Sequence, residues 1–558
     1  MTRGGGLLEA DHVAVPEEAA RADGGAASSG PAGQERAPVG AARRTVLRLA
    51  PVFAAGAAAA ACADPPPAPG PAPVPPPAPQ GPGGGGPALW AGTTGMHAAR
   101  RLTWGATPSL AAEIDRIGLQ KWLERQINWR AIDDSRMAGM LAPWPRPDMS
   151  APALDADSPW RIAQELAAHE TLRRCFSGRQ LHELMVDFWS DHFNVHVHHG
   201  RARVHMGTYM RDVIRPHALG RFRDLLPAVG RHPAMLHYLD QAGSRADRGR
   251  IPNENYAREA MELHTVGSGA GYSQQDVVAV SYLLTGWTTD GRTGGIEYRA
   301  DWHDAGPMVP ARQVLGWSRG SLSGDAAALS FMHHLATHPA TARRVCHKLA
   351  RRLVGEHVAP NSPLVDTAVS AYNSSGTDVA AVVRALVLSR EFAESGGAKV
   401  RRPQSLVTQY VRALGVGWTQ PANPDSFLWK IWGTLEQLGN ANHAWPAPNG
   451  YPDASNAWLS VGALLARWNA AVYLAHGTVA GLGFDARATM DWSPDGTWGG
   501  WLTALADRIA GEAWPDGVRA AVLAEYGVTE QTTFRNWDHW AAPNVVVVLL
   551  QTAGFQRS

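Results

Sequence analysis

From about Leu89 to the end of the chain, apolar residues recur at spacings of three and four, and runs of strict alternation are scarce. That pattern predicts a mainly α protein, a large multi-helix globule over residues 95–558. In the stretch Leu181 to His192, the residues Leu181, Leu184, Met185, Phe188 and His192 fall on one helical face, while Glu183, Asp187 and Asp191 lie away from it. Pro339 follows His338 as a first-turn residue. Ala342, Val345, Cys346, Leu349 and Leu353 then form a stripe with Arg343, Arg344, His347 and Arg351 outside it, so Cys346 is expected to be buried and inert. Ser273 and Asp276 have the spacing of a capping box, opening a helix through Leu284 that Gly286 would end. Residues 297–317 carry Gly306, Pro307, Pro310 and Gly316, which break any helix, and this part is expected to be an irregular or β-containing insertion. No repeat at a fixed period is visible.

The first 42 residues have no apolar periodicity. Arg43-Arg44-Thr45-Val46-Leu47-Arg48 then precedes a mostly apolar run from Leu49 to Ala61, which is too short and too alanine-rich for a spanning helix. Paired arginines before such a run resemble a twin-arginine signal, so residues 1–63 read as an export address. Ala59-Ala60-Ala61-Cys62 resembles a lipoprotein box, with Cys62 as the acylated residue, and Ala61-Cys62-Ala63 also fits a cleavage site before Asp64. Residues 64–94, rich in Pro, Gly and Ala, cannot bury a core and read as a disordered spacer. The expected location is outside the cytoplasm, as a lipoprotein on the outer face of the cell membrane or as a secreted protein.

Charge changes this picture only by exclusion. Lys and Arg number 51 against 50 Asp and Glu, which argues against a dedicated nucleic-acid binder. Three cysteines are too few for a disulfide framework or a four-thiolate metal site, so a divalent metal, if one is used, would be held by His and carboxylate.

The densest segments form an ordered set: His97 to Gly105, Phe188 to Asn194, Asn253 to Gly267, Leu284 to Trp287, His303-Asp304, His338 to Ala342, and Pro446-x-Pro448-Asn449-Gly450-Tyr451-Pro452. This set resembles the domain-of-unknown-function 1800 family over roughly residues 95 to 558. Ala260 departs from the leucine usual there, and Pro307 sits in a stretch where the family often has Lys. The resemblance implies an exported protein, often encoded beside a sulfatase-like partner, and supplies no reaction.

Chemistry is therefore sought in the residues. If Asn255 caps a helix, Glu259 and Glu262 share a face and Arg258 stands four before Glu262, where the two can pair. Two carboxylates beside an arginine suit an acid and base for glycan hydrolysis, and equally suit a buried ion-pair network. His192 continues an apolar stripe and points inward. With the helix extended, His196 follows one turn on, at the spacing that grips a divalent metal, although the run to His199 also reads as a loop or as core and surface imidazoles. His303 and Asp304 would add a third ligand or an acid/base pair, against a capping Asp in a turn. Gly316 to Gly320 fits a nucleophile elbow without the helix that an elbow needs, and Gly267-x-Gly269-x-Gly271 follows a helix instead of a strand; neither is retained. Two functions remain open, beside a redox enzyme as a minor option for which the sequence holds no haem, flavin or nicotinamide signature. One is a hydrolase acting on an extracytoplasmic glycan with Glu259, Glu262, His192, His303 and Asp304 in one cleft. The other is a non-catalytic surface assembly protein, held to the membrane through Cys62 and working with the sulfatase-like partner.

Overall fold

The computed structural model describes residues 93–303, 313–535 and 540–558. Among these residues the fold is mainly helical, with 25 α-helices and only two small two-stranded sheets. The signal segment, Cys62 and most of the spacer lie outside the described residues, as does Asp304. No described helix is long and apolar enough to cross a membrane.

Helix α1 (Thr94–Leu102) starts on Thr93, whose hydroxyl accepts the Met96 N–H, and its motif residues face inward. His97 Nε2 bonds the Phe392 carbonyl, and Arg101 donates to the carbonyls of Val354 and Ser395. Helix α2 (Pro159–Phe176) takes Pro at its first turn and turns sharply at Ser177 into α3 (Gln180–His192). Helix α4 (Asn255–Glu262) packs on α5 (Gln274–Leu283), which opens with the full reciprocal capping box of Ser273 and Asp276. The helix ends one residue before Leu284, and Gly286 adopts the positive φ that releases the chain. Strand β1 (Trp287–Thr289) then pairs antiparallel with β2 (Ile296–Tyr298). The hairpin thus begins ten residues ahead of the expected insertion, because Gly294 supplies the tight turn and Trp287 the buried anchor. Only Ile296–Tyr298, a short helical turn at Ala300–Trp302 and the Val314–Trp317 pairing represent that insertion among the described residues.

Helix α6 (Gly324–Thr337) leads into α7 (Pro339–Leu353), and Pro339 takes the first helical position, with the His338 imidazole accepting the Ala340 N–H. The stripe from Ala342 to Leu353 is buried, Cys346 included, and burial pushes the Cys346 thiol up to about 12. Helix α8 (Pro403–Ala413) packs on α2. Strands β3 (Gly417–Trp418) and β4 (Leu482–Gly483) form the second sheet. One large apolar cluster joins residues from Met96 to Phe555, and a small satellite gathers Ala151, Leu154, Ile162 and Val204.

Helix α3 departs from its expected pattern in one respect. Glu183 and Asp187 do not face solvent; both are buried, and the helix is covered on nearly every side. Each is matched by arginines: Arg215 donates twice to Glu183, at 2.8 and 2.9 Å, while Arg174 and Arg352 reach Asp187 at 3.0 and 2.6 Å. A helix with a two-sided polar pattern can be central when its charges are answered from neighbouring elements.

Candidate functional site

The end of α3, the outer face of α7, Arg402 just before α8 and the loop from Trp445 to Ala454 enclose a cavity of about 350 Å³. The loop is pinned from below. Asn194 donates to the carbonyls of Trp445 and Ala447, Tyr238 to that of Pro446, and Tyr451 to that of Ala441. Gly450 has φ of 71°, and a Cβ at that position would lie 2.1 Å from the Asp191 carbonyl oxygen. The Pro-x-Pro-Asn-Gly-Tyr-Pro motif is thus a loop that only glycine lets approach the end of α3.

His192, the last residue of α3, is 2% exposed and ringed by Phe188, Trp189, Phe193 and Phe222. Its Nε2 faces the His264 carbonyl oxygen at 3.0 Å, which can only accept, so Nε2 carries the proton. Its Nδ1 is then an acceptor, and the Lys348 ammonium donates to it at 2.8 Å. Burial first, and Lys348 second, hold the imidazole well below its ordinary range, so it is neutral. Lys348 itself is lowered to about 8, mainly by burial and then by Arg344, with Asp191 and Asp453 opposing. His264 is lowered to about 3 by burial, and its own Nε2 has no hydrogen-bond partner among the described residues.

Around this pair the charges are layered. Arg352 bonds Asp187 and lies 3.8 Å from Asp453; Arg402 bonds Asp191 and reaches Asp187 at 3.5 Å. Burial and Asp187 push Asp191 up against the opposing pull of Arg402. Burial also disfavours the charge on Asp453, but Lys399 at 2.6 Å and Arg352 outweigh it, and the carboxyl is held well below the usual range. Lys348 has no carboxylate within ion-pair distance among the described residues.

The sequence-expected residues are only partly brought together. His192 lines the cavity; Glu259, Glu262, His196 and His303 do not. Glu259 and Glu262 do share α4, but Asn255 is its first residue and not its cap, and the Asn253 side chain accepts the Asn255 N–H instead. Arg258 does not pair with Glu262: it turns back to Glu254 at 3.1 Å and also bonds Gln274, because the N-terminal side of α4 offers the closer carboxylate. Glu259 is half-buried, and its carboxyl is raised by burial and then by Glu262. Glu262 faces Arg344, one turn before Lys348 on α7.

The expected metal set is not gathered. Helix α3 stops at His192, since Phe193 leaves helical geometry, and His196 sits in a turn against His198 instead of one turn further along the same face. His303 is held by Thr285 after α5, through the hydroxyl at 3.0 Å and the carbonyl at 3.2 Å. Among the described residues no three His, Cys, Asp or Glu side chains are grouped to hold a metal ion.

Sequence reasoning missed Lys348, Arg351, Arg352, Arg402 and Asp453. A signal existed: Arg344, Lys348 and Arg352 recur every four residues beside the α7 stripe, a cationic row that touches the apolar face. What the geometry defines is a large helical protein with a buried ion-pair network around one cation-lined cavity. Residues 97–557 match the model of the family described as "Protein of unknown function (DUF1800)", and the chain belongs to that family. Neither the curated proteins nor the solved structures contain a match.

Proposed function

We propose that the protein is an exported hydrolase-type enzyme acting on an extracytoplasmic glycan, with the cavity between α3, α7 and the 445–454 loop as its reaction site. The observation that carries this reading is the Lys348–His192 pair at 2.8 Å in the cavity wall. A group that moves protons works best with its pKa near the working pH, and Lys348 is tuned to about 8. Hydrolysis breaks the glycosidic bond with one water. The leaving oxygen takes a proton from the Lys348 ammonium; the attacking water gives one up to Asp191, the cavity carboxylate whose affinity for a proton burial and Asp187 raise. His192, fixed by the His264 carbonyl, orients the amine as a positioning residue. Glu259 and Glu262 would serve at the approach beside Arg344, and His303 stays structural. The export route through Arg43 and Arg44, and the anchor at Cys62, belong to the same proposal.

A second reading, a non-catalytic surface protein working with a sulfatase-like partner, draws on the exposed Leu459, Val461 and Leu465 that follow the cavity loop in sequence. An apolar face of this kind suits docking. The two readings separate in a reducing-end release assay on a panel of extracytoplasmic glycans, using the native exported protein. Release that Lys348→Met abolishes, with the fold intact, supports the enzyme; absence of release from every glycan, with Lys348→Met indistinguishable from wild type in binding, overturns it.

A further inference from the structure

The cavity carries more positive charge than its own carboxylates answer. Arg352 and Arg402 are committed to Asp187, Asp191 and Asp453. Lys348 and Arg351 are not. Among the described residues the only hydrogen-bond partner of the Lys348 side chain is the neutral His192 ring, and the Arg351 guanidinium has neither an ion pair nor a hydrogen bond. Both lie on α7, three residues apart, and both line the cavity. Side chains at that spacing are neighbours on a helical surface, so the two charges sum at one place. A cation half-removed from water with no counter-ion is costly, and such an arrangement persists where a ligand supplies the missing anion. The same cavity is lined by Trp445, half-buried with its Nε1–H donated to Asn449, and by Tyr451, their ring centroids 5.2 Å apart. With its polar edge occupied, Trp445 offers a ring the apolar surface that Tyr451 does not cover.

We infer that the cavity takes an acidic sugar, with its anionic substituent seated between Lys348 and Arg351 and its ring against Trp445. The substituent is a carboxylate or a sulfate ester; both put acceptor oxygens where a guanidinium fork and an ammonium can hold them. This inference rests on the glycan reading of the cavity and adds the substrate class. It also gives the bound anion a second effect, since a negative charge beside Lys348 favours the ammonium form and primes it as a proton donor.

The test is equilibrium binding to the full-length exported protein. The probes are an oligogalacturonate, a sulfated galactan oligosaccharide and a neutral galactan oligosaccharide of the same length. An acidic probe is expected to bind at least about tenfold more tightly than the neutral one, the preference shrinking with salt. Arg351→Ala should remove about a tenfold share of the acidic affinity, a larger loss than for the neutral probe, and Arg351→Lys should restore part of it. Melting temperatures of both variants near that of wild type exclude a folding defect. Preference for the oligogalacturonate or for the sulfated probe identifies which substituent the site reads. Equal binding of acidic and neutral probes, no binding of any probe, or an acidic affinity indifferent to Arg351→Ala would overturn the inference. Acidic binding that depends on Arg351 but yields no cleavage would leave the inference standing and sink the enzyme reading; cleavage of a neutral glycan would do the reverse.

Discussion

His192 and Lys348 meet as two groups that cannot both be charged at 2.8 Å, and the local structure decides which one is. The carbonyl of His264 fixes the imidazole tautomer, and the neutral ring then accepts from the ammonium. Removing the amine takes away a half-buried charge without stranding a carboxylate, but it leaves the buried His192 Nδ1 without its donor, so Lys348→Met should cost about 1 to 2 kcal/mol of stability while abolishing cleavage. Thermal unfolding and the release assay on the same sample check both halves. Glu259 gives the contrasting case. Among the described residues it has no cation in ion-pair range, because Arg258 is engaged with Glu254, so Glu259→Gln strands nothing and relieves repulsion from Glu262. Its stability change should stay within about 0.5 kcal/mol of wild type, and a loss of several kcal/mol would reveal an ion pair that the geometry does not contain.

At the scale of elements, the helices were legible in the sequence wherever one face was apolar and the other was not. The α7 stripe and the α5 capping box lie where periodicity and side-chain chemistry place them. What periodicity did not show is that α3 is central, since burial of Glu183 and Asp187 depends on Arg215, Arg174 and Arg352 arriving from distant segments. The same reason hid the cavity: Lys348, Arg402 and Asp453 are remote in sequence, and no local pattern joins them. His196 was misplaced because a spacing of four carries meaning only while the helix lasts, and α3 ends at His192. The motif around Gly450 was legible as a motif and not as a contact. Gly450→Ala would force a Cβ onto the Asp191 carbonyl from a left-handed backbone, and should cost about 2 kcal/mol or more and weaken binding in the cavity. A melting temperature equal to that of wild type would show that the loop does not press on α3. Cys175 and Cys346, both buried in helices and held up to about 12 by burial, should remain reduced thiols, checked by mass before and after reductant.

For the whole molecule, buried ionisable groups set the response to acid. His97, His169, His192, His232 and His264 are held below the ordinary 6.5, in each case mainly by burial. As pH falls through 6.5 the unfolded chain takes up these protons, whereas folded His97 waits until about 4 and folded His264 until about 3, so folding stability drops across that window. Glu170 and Glu183, against an ordinary 4.5, are held far lower once their cation partners outweigh burial. Their contribution is complete above the ordinary value and is lost as pH falls below it. Both sets act in the same direction, and the melting temperature should decline continuously from pH 6.5 downward; a flat profile to pH 4.5 would contradict the neutral imidazoles. The proposed address has its own check: Arg43→Lys with Arg44→Lys should block export, because lysine does not reproduce the guanidinium pair. The most direct test of the functional proposal is the titration of one amine. Peptide-resolved competitive labelling of Lys348 in the native protein should give a midpoint near about 8, with protection when an acidic glycan is bound; a midpoint at the ordinary 10.5, unchanged by ligand, would contradict a proton-transfer role for the Lys348–His192 pair.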